Sequence, residues 1–389
     1  VWNATPIGPI AAALFGTFWN LVALMAYHYV SKRAHRALAY TLLVALWITT
    51  ENLYNSAEVL TFPWLLLGNG FSNDIWAVQW YEYTGVFGGS LWVLASNIAI
   101  FEILRTKTKT AKVRAALIAL LPMLASIIIF FAYTPSERTT MVSVIQPNIP
   151  CYDEEREAAG KTNATQDIQR LMAEVSDDAA FVVMPESALS YLPRYGSVNE
   201  SELEAYGPLL KSLRGEAPAN TKLITGASTV RFYGETPATE TARQSDYYGY
   251  YDLYNSALMV DSEGTIEEIY HKGKLVIGVE AVPMRKLFKF FEVDLGGISG
   301  QLGWGRQYTL FENNGIKVGP SICYEGLYGE YFGGFVRNGA ELMTLISNDG
   351  WWGNTPGYKR LFDFTRLRAI ECRRSIARSA NTGISGFIS

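Results

Sequence analysis

Three side chains in the later part of this 389-residue chain complement one another chemically: Glu186, Lys272 and Cys323. Each follows an apolar run that reads as a strand. FVVMPES sets Glu186 behind Pro185, YHKGKLVIGVE sets Lys272 just past a strand with Glu280 eight residues on, and IKVGPSICYE carries Cys323. A carboxylate takes the proton of a thiol, an ammonium holds negative charge developing on an oxygen, and a thiolate attacks an electrophilic carbon. The pattern around Cys323 runs from strand through a small-residue turn into the expected start of a helix, whose N-terminal dipole would favour the thiolate. A strand-end cysteine also packs in many cores. The catalytic reading therefore rests on the company Cys323 keeps.

Histidine narrows the chemistry further. Of the three histidines, His28 and His35 lie near the N-terminus, and only His271 falls in the later part, directly before Lys272. Adjacent side chains on a strand point to opposite faces, so a strand that presents Lys272 to a site turns His271 away from it. The scarcity of histidine and the lack of a CxxC pair argue against zinc. No metal and no cofactor is expected.

The elements that must hold these residues alternate after Thr139, which indicates a mixed α/β layered fold. Strands are expected at 140–146, 180–184, 222–227, 254–261, 316–322, 342–347 and 375–380, and helices at 165–175, 202–213 and 357–373. The stretch from Arg231 to Ser245 reads as an exposed loop. Cys151, Cys323 and Cys372 are the only cysteines, an odd number, and spacing leaves a Cys151–Cys372 bridge open.

Ahead of this lies a region of different composition. Four segments have the length and apolarity to cross a bilayer, about 7–30, 37–54, 85–104 and 115–133. Glu51 interrupts the second near one end, where an interfacial place or a buried functional one would suit it. Lys32, Arg33 and Arg36 fall between the first two segments, and Arg105, Lys107, Lys109, Lys112 and Arg114 between the last two. The stretch 56–84 holds Glu58, Asp74 and Glu82 but neither Lys nor Arg. By the positive-inside rule the basic loops are cytoplasmic, and everything after Tyr133 is on the outer face. The expected organisation is a membrane domain over 1–133 with an aromatic outer loop at 56–84, then an α/β domain over 134–389. A net charge of −4 without a basic block gives no footprint for nucleic acid. The opening at Val1 and the close on GISGFIS are read as a piece lacking material at both ends.

A resemblance becomes specific at these residues. LGNGF (67–71), QWYEYTGVFGGSLW (79–92), QPNIP (146–150), MPES (184–187), YNSA (254–257), YHKGKLV with GVE and Pro283, ICYE (322–325), SNDGWWG (347–353) and RSANTGIS (378–385) follow one another in order. In these stretches the chain resembles the nitrilase superfamily and, within it, the family of apolipoprotein N-acyltransferases. Ile277 stands where many relatives have Pro, and the Trp that many carry after QxNIP is missing, with Glu155 near its place.

The resemblance implies a membrane helical bundle joined to a nitrilase-like αββα sandwich, with Glu186, Lys272 and Cys323 as catalytic triad and Glu280, Tyr324 and Glu325 in support. It implies an enzyme of the bacterial inner membrane, multi-pass, with its catalytic domain on the periplasmic side. That enzyme would move an acyl chain from phospholipid to the α-amine of a diacylglyceryl prolipoprotein through a thioester on Cys323. Trp64, Trp80, Tyr81, Glu82, Trp351 and Trp352 are candidates for substrate contact, since Trp and Tyr favour the membrane interface. A membrane-tethered amidase would use the same triad with water as second nucleophile. A non-catalytic receptor would instead tolerate Cys323→Ser.

Overall fold

The computed structural model describes residues 7–57, 61–151, 164–192, 196–281 and 301–389; Glu58, Glu155 and Pro283 lie outside the described residues. Two compact units divide the chain. The first comprises 1–136 with 327–329 and 363–373, the second 137–326 with 330–362 and 374–389.

In the first unit four long helices follow from long apolar runs: α1 (Ile7–Ser31), α2 (Arg36–Ser56), α3 (Tyr81–Thr106) and α4 (Lys109–Ala132). Among the described residues, α3 and α4 are long and apolar enough to cross a bilayer. Large apolar side chains face outward along them, with Leu120 60% and Phe131 81% exposed. Water would penalise such a surface, whereas hydrocarbon would not. α4 starts six residues ahead of its expected span because the Thr108 side chain caps it, accepting from Ala111 N at 3.2 Å. α3 starts at Tyr81 but is broken at Gly85 (φ 60°, ψ −171°), the residue where the span was expected to begin.

The stretch between α2 and α3 is folded rather than extended, with short 3-10 turns at Pro63–Leu65, Leu67–Phe71 and Ile75–Ala77. Glu51 takes the buried of the two places that would suit it. It is fully buried, and its Oε1 accepts from Leu67 N at 2.9 Å and Trp47 Nε1 at 3.2 Å. Tyr54, Leu66, Val78, Tyr81 and Val86 form a core with Leu367 and Ile370.

The second unit is built on two sheets. One contains β1 (Val142–Val144), β2 (Phe181–Val183), β3 (Ser197–Asn199), β4 (Lys222–Gly234), β5 (Arg243–Ser245), β6 (Gly249–Val260) and β7 (Ile266–His271). Its order is β1-β2-β4-β6-β5, with β3 also on β4 and β7 also on β6. The other contains β8 (Phe311–Asn313), β9 (Ile316–Ile322), β10 (Leu342–Ser347), β11 (Ile376–Ala380) and β12 (Gly386–Ile388), in the order β12-β11-β10-β9-β8. Pairing is parallel through β1-β2-β4 and through β9-β10-β11, so the C-terminal ends of these strands gather at one edge of each sheet. In open α/β sheets that edge is where ligands bind.

Helices α5 (Ala164–Met172) and α6 (Gly207–Arg214) close the outer face of the first sheet, packing Ile168, Met172, Leu210 and Leu213 on Val182, Leu223, Leu258 and Val260. The inner faces meet, as Ser379 Oγ donates to Ile145 O across them at 2.8 Å. Helices α7 (Gly329–Arg337) and α8 (Gly357–Cys372) follow β9 and β10. The result is an αββα layering. Arg231–Ser245 is the exposed loop expected only in its middle, at 235–240: β4 runs on to Gly234, and Arg243–Ser245 pairs with β6.

Candidate active site

The C-terminal strand ends bring the three chemically complementary residues into one neighbourhood. Glu186 follows β2 across Met184 and Pro185, and this tail stays pinned to β4 through Met184 N to Ile224 O (2.8 Å) and Gly226 N to Pro185 O (3.1 Å). Only glycine fits at 226, since a Cβ there would lie 2.5 Å from both Glu186 Cα and Ser187 N. Lys272 extends β7 by one residue, its N–H donating to Asn255 O at 2.9 Å. The β6–β7 register sets Ser256 opposite His271, and therefore Asn255 opposite Lys272.

Strand alternation then sorts the side chains by face. Ser256 Oγ and His271 Nδ1 meet at 2.9 Å on one face, and His271 Nε2 lies 3.4 Å from Glu200. Burial pushes the His271 pKa down to about 4, which keeps the ring neutral. On the other face Lys272 Nζ contacts Glu280 Oε1 at 2.9 Å and Glu186 Oε1 at 3.3 Å. Asn255 Nδ2 donates to the same two oxygens at 2.7 Å (Glu186) and 2.9 Å (Glu280). His271 and Lys272 thus have separate partners, as strand alternation requires.

Two carboxylates therefore share one ammonium and one amide, all nearly fully buried. Burial disfavours the ammonium, but Glu280 and then Glu186 outweigh it and hold the Lys272 pKa above its usual value. The second Glu186 oxygen accepts from Asn348 N at 2.8 Å, at the end of β10. The second Glu280 oxygen accepts from Val276 N at 2.8 Å. Held at both oxygens, each carboxylate has a fixed direction.

Cys323 leaves β9 with φ 49°, a left-handed conformation rare outside glycine, and opens a 3-10 turn, Cys323–Leu327. The α-helix expected at this point begins only at Gly329, beyond that turn. The thiol is not activated at rest. Burial, then the Glu186 charge, raise its pKa well above the usual value against the pull of Lys272. Alkylation of Cys323 by iodoacetamide is accordingly expected to keep rising beyond pH 9.0, the ordinary cysteine value. A plateau near neutral pH would show a resting thiolate and reverse this reading.

Glu325 ties the Cys323 turn to the lysine loop. Fully buried, it accepts from Ile322 N (2.7 Å) with one oxygen and from Gly273 N (2.7 Å) and Tyr270 Oη (2.5 Å) with the other. Burial raises its pKa to about 7. Tyr324 beside it is buried. Among the described residues no cluster of His, Cys, Asp and Glu could hold a metal ion.

The expected substrate contacts are distributed differently. In the first unit, Trp64 packs 5.9 Å from Phe364, and Trp80 lies edge-on to Tyr81 and Trp92. Tyr81 is fully buried with its hydroxyl donating to Gly68 O at 2.9 Å, and Glu82 pairs with Arg373 at 2.8 Å. Both side chains are thus engaged within their own unit. Trp351 and Trp352 are half-buried on the turn Asp349–Trp352 in the second unit. No two of the three cysteines form a disulfide; Cys151 donates to Asn348 Oδ1 at 3.2 Å. Sequence reading passed over Asn255, Asn348, Gly226 and Tyr270. The first two sit in YNSA and SNDGWWG, stretches that carried the resemblance, but an asparagine by itself signals only a turn.

The carbon–nitrogen hydrolase family model matches residues 141–389, and a model of the apolipoprotein N-acyltransferase N-terminal domain matches residues 1–99. The chain therefore belongs to the carbon–nitrogen hydrolase family, and its α/β unit has the nitrilase-like fold. Within that family it is similar along most of its length to proteins named apolipoprotein N-acyltransferase. One from Chlorobaculum tepidum is 28% identical over 99% of this chain and 73% of the relative. One from Geobacter metallireducens is 28% identical over 88% of this chain and 63% of the relative. The chain thus spans about two thirds of the length of such relatives. A solved member of branch 10 of the nitrilase superfamily from Saccharomyces cerevisiae is 18% identical at TM-score 0.41, covering 64% of this chain and 78% of that one. A likeness of that size has no bearing on the site.

Proposed function

We propose that this chain is an acyltransferase that loads a fatty acyl group from phospholipid onto Cys323 and passes it to the α-amine of a diacylglyceryl-cysteine lipoprotein. The observation that carries the proposal is the buried Lys272 bridge between Glu186 and Glu280, beside a cysteine held on a left-handed turn. The similarity to proteins named apolipoprotein N-acyltransferase supports acyl transfer over hydrolysis.

Glu186 takes the Cys323 proton as the sulfur attacks the ester carbonyl carbon. Lys272 and the Tyr324 N–H receive the oxyanion. The ester C–O bond then breaks, the proton on Glu186 passes to the departing alkoxide, and lysophospholipid leaves a thioester. The α-amine attacks that thioester, Glu186 collects its proton, the C–S bond breaks, and the sulfur is reprotonated. Burial and the Glu186 charge hold the thiol pKa up, so in this proposal Glu186 does the work of activation, removing the proton as the sulfur attacks. Glu280 orients Lys272, and Glu325 fixes the turn.

The site lies outside the inner membrane in this proposal, on the periplasmic side, with α1 to α4 as spans and 134–389 as the catalytic domain. Trp64, Trp80, Trp351 and Trp352 are the proposed acyl-chain contacts. Tyr81 and Glu82 would act there only through the packing and ion pair described.

Intact mass of the protein purified from membranes tests the reaction. A transferase waiting for its amine is expected to carry a fatty acyl adduct, which peptide mapping places on Cys323. An amidase-type hydrolase would release its acyl group to water and stay unloaded. An unloaded protein after incubation with phospholipid vesicles would overturn the proposal.

A further inference from the structure

We propose that Arg368 and Glu371, on α8, are positioning residues for Cys323, an inference that rests on the nucleophilic role proposed for that residue. Arg368 is fully buried, and its Nη1 donates to Leu327 O at 2.8 Å. Leu327 is the last residue of the turn that Cys323 opens. The final carbonyls of a helical turn have no partner within it, and a donor from outside the turn can satisfy them.

Arg368 is itself held. Its Nη2 donates to Glu371 Oε1 at 3.0 Å, and its Nε lies 2.8 Å from Glu371 Oε2. Glu371 Oε1 also accepts from Val86 N at 2.8 Å, where α3 resumes after the break at Gly85. A carboxylate at the first N–H of a helix is favoured by both capping and the dipole. Leu327, Arg368, Glu371 and Val86 all belong to the first unit.

The function of this chain of bonds follows from the strain at Cys323. An L residue holds φ 49° only where its surroundings over-determine it. Glu325 does this from the N-terminal side, through Ile322 N. Arg368 does it from the far end of the same turn. A guanidinium spans both the carbonyl and the carboxylate because its fork is rigid; the single ammonium of lysine does not reproduce that geometry. Loosening the turn shifts the sulfur, and a misplacement of about 1 Å costs on the order of 100-fold in a reaction that depends on alignment.

The test uses the full chain in phospholipid vesicles, comparing Arg368→Lys and Glu371→Gln with the unsubstituted protein. Arg368→Lys is expected to change the rate of Cys323 alkylation by iodoacetamide and to lower kcat for acyl transfer by about 10- to 100-fold. KM for the phospholipid is expected to stay within about threefold, because neither residue is placed on the substrate. Glu371→Gln keeps an acceptor for Val86 N and is expected to give a smaller change in the same direction. Alkylation and kcat within about twofold of the unsubstituted protein, with only Tm lowered, would reduce the pair to a structural ion pair and overturn the inference. Hydrogen exchange in the unsubstituted protein gives a readout that needs no variant: protected amides across 323–327 are expected, and fast exchange there overturns the inference as well. Alkylation and exchange require no acyl donor, so a protein that never forms the acyl adduct would sink the proposed function and leave these two results readable.

Discussion

Lys272→Ala is expected to lower acyl transfer by at least about 100- to 1,000-fold, the usual loss for one oxyanion donor. The structure adds a second loss of different character. Lys272 Nζ is the cation between Glu186 and Glu280, at 3.3 and 2.9 Å, and the whole group is buried. Removing one partner of a buried charge pair leaves the other uncompensated and typically costs about 3–5 kcal/mol. Tm should therefore fall in Lys272→Ala together with the rate. Single-turnover acylation of Cys323, with Tm measured alongside, separates the two losses. Near-normal acylation in a folded Lys272→Ala protein would remove the lysine from the mechanism.

How far the site was readable from sequence depended on whether geometry came from the strand itself or from a distant partner. The separation of Lys272 from His271 was legible because alternation is a property of any strand. So were β9 and β10, whose boundaries coincide with the apolar runs at 316–322 and 342–347. Of α7 only a helix start was expected, directly after Cys323, and its actual place was hidden: GEYFGGFVR holds three glycines, and propensity alone argues against a helix that the burial of Phe332 and Phe335 supports. The extension of β4 to Gly234 was hidden in the same way, since its pairing with β6 satisfies a segment whose composition reads as a turn. The thiol environment was illegible for another reason. A helix dipole was expected from the pattern after Cys323, but a single residue at φ 49° and a five-residue 3-10 turn intervene, and burial together with Glu186 sets the direction of the shift. Asn255 and Asn348 matter through bonds to residues about 70 and 160 positions away, which no local pattern records.

Glu186→Gln is expected to move two observables in opposite directions, which makes it the more discriminating of the large effects. Turnover should fall by about 100- to 10,000-fold, the range for losing a positioned general base. Both carboxylate oxygens act as acceptors, one for Asn348 N and the other for Asn255 Nδ2 and Lys272 Nζ. A glutamine amide puts a donor where one of those acceptors was, leaving a buried donor facing a donor at about 1–3 kcal/mol. Some loss of Tm is therefore expected together with the loss of rate. The thiol should respond the other way. Burial is the main cause of its raised pKa, Glu186 is the next, and Lys272 opposes both. With the Glu186 charge gone the ammonium acts unopposed by it, and the midpoint of Cys323 alkylation is expected to move to lower pH. A more acidic sulfur in a nearly inactive protein would show that the site works by removing the proton during attack, and that a stored thiolate is not what limits it. An alkylation midpoint unchanged or moved upward would mean that Glu186 is not electrostatically coupled to Cys323, and the proposed division of labour would fail with it.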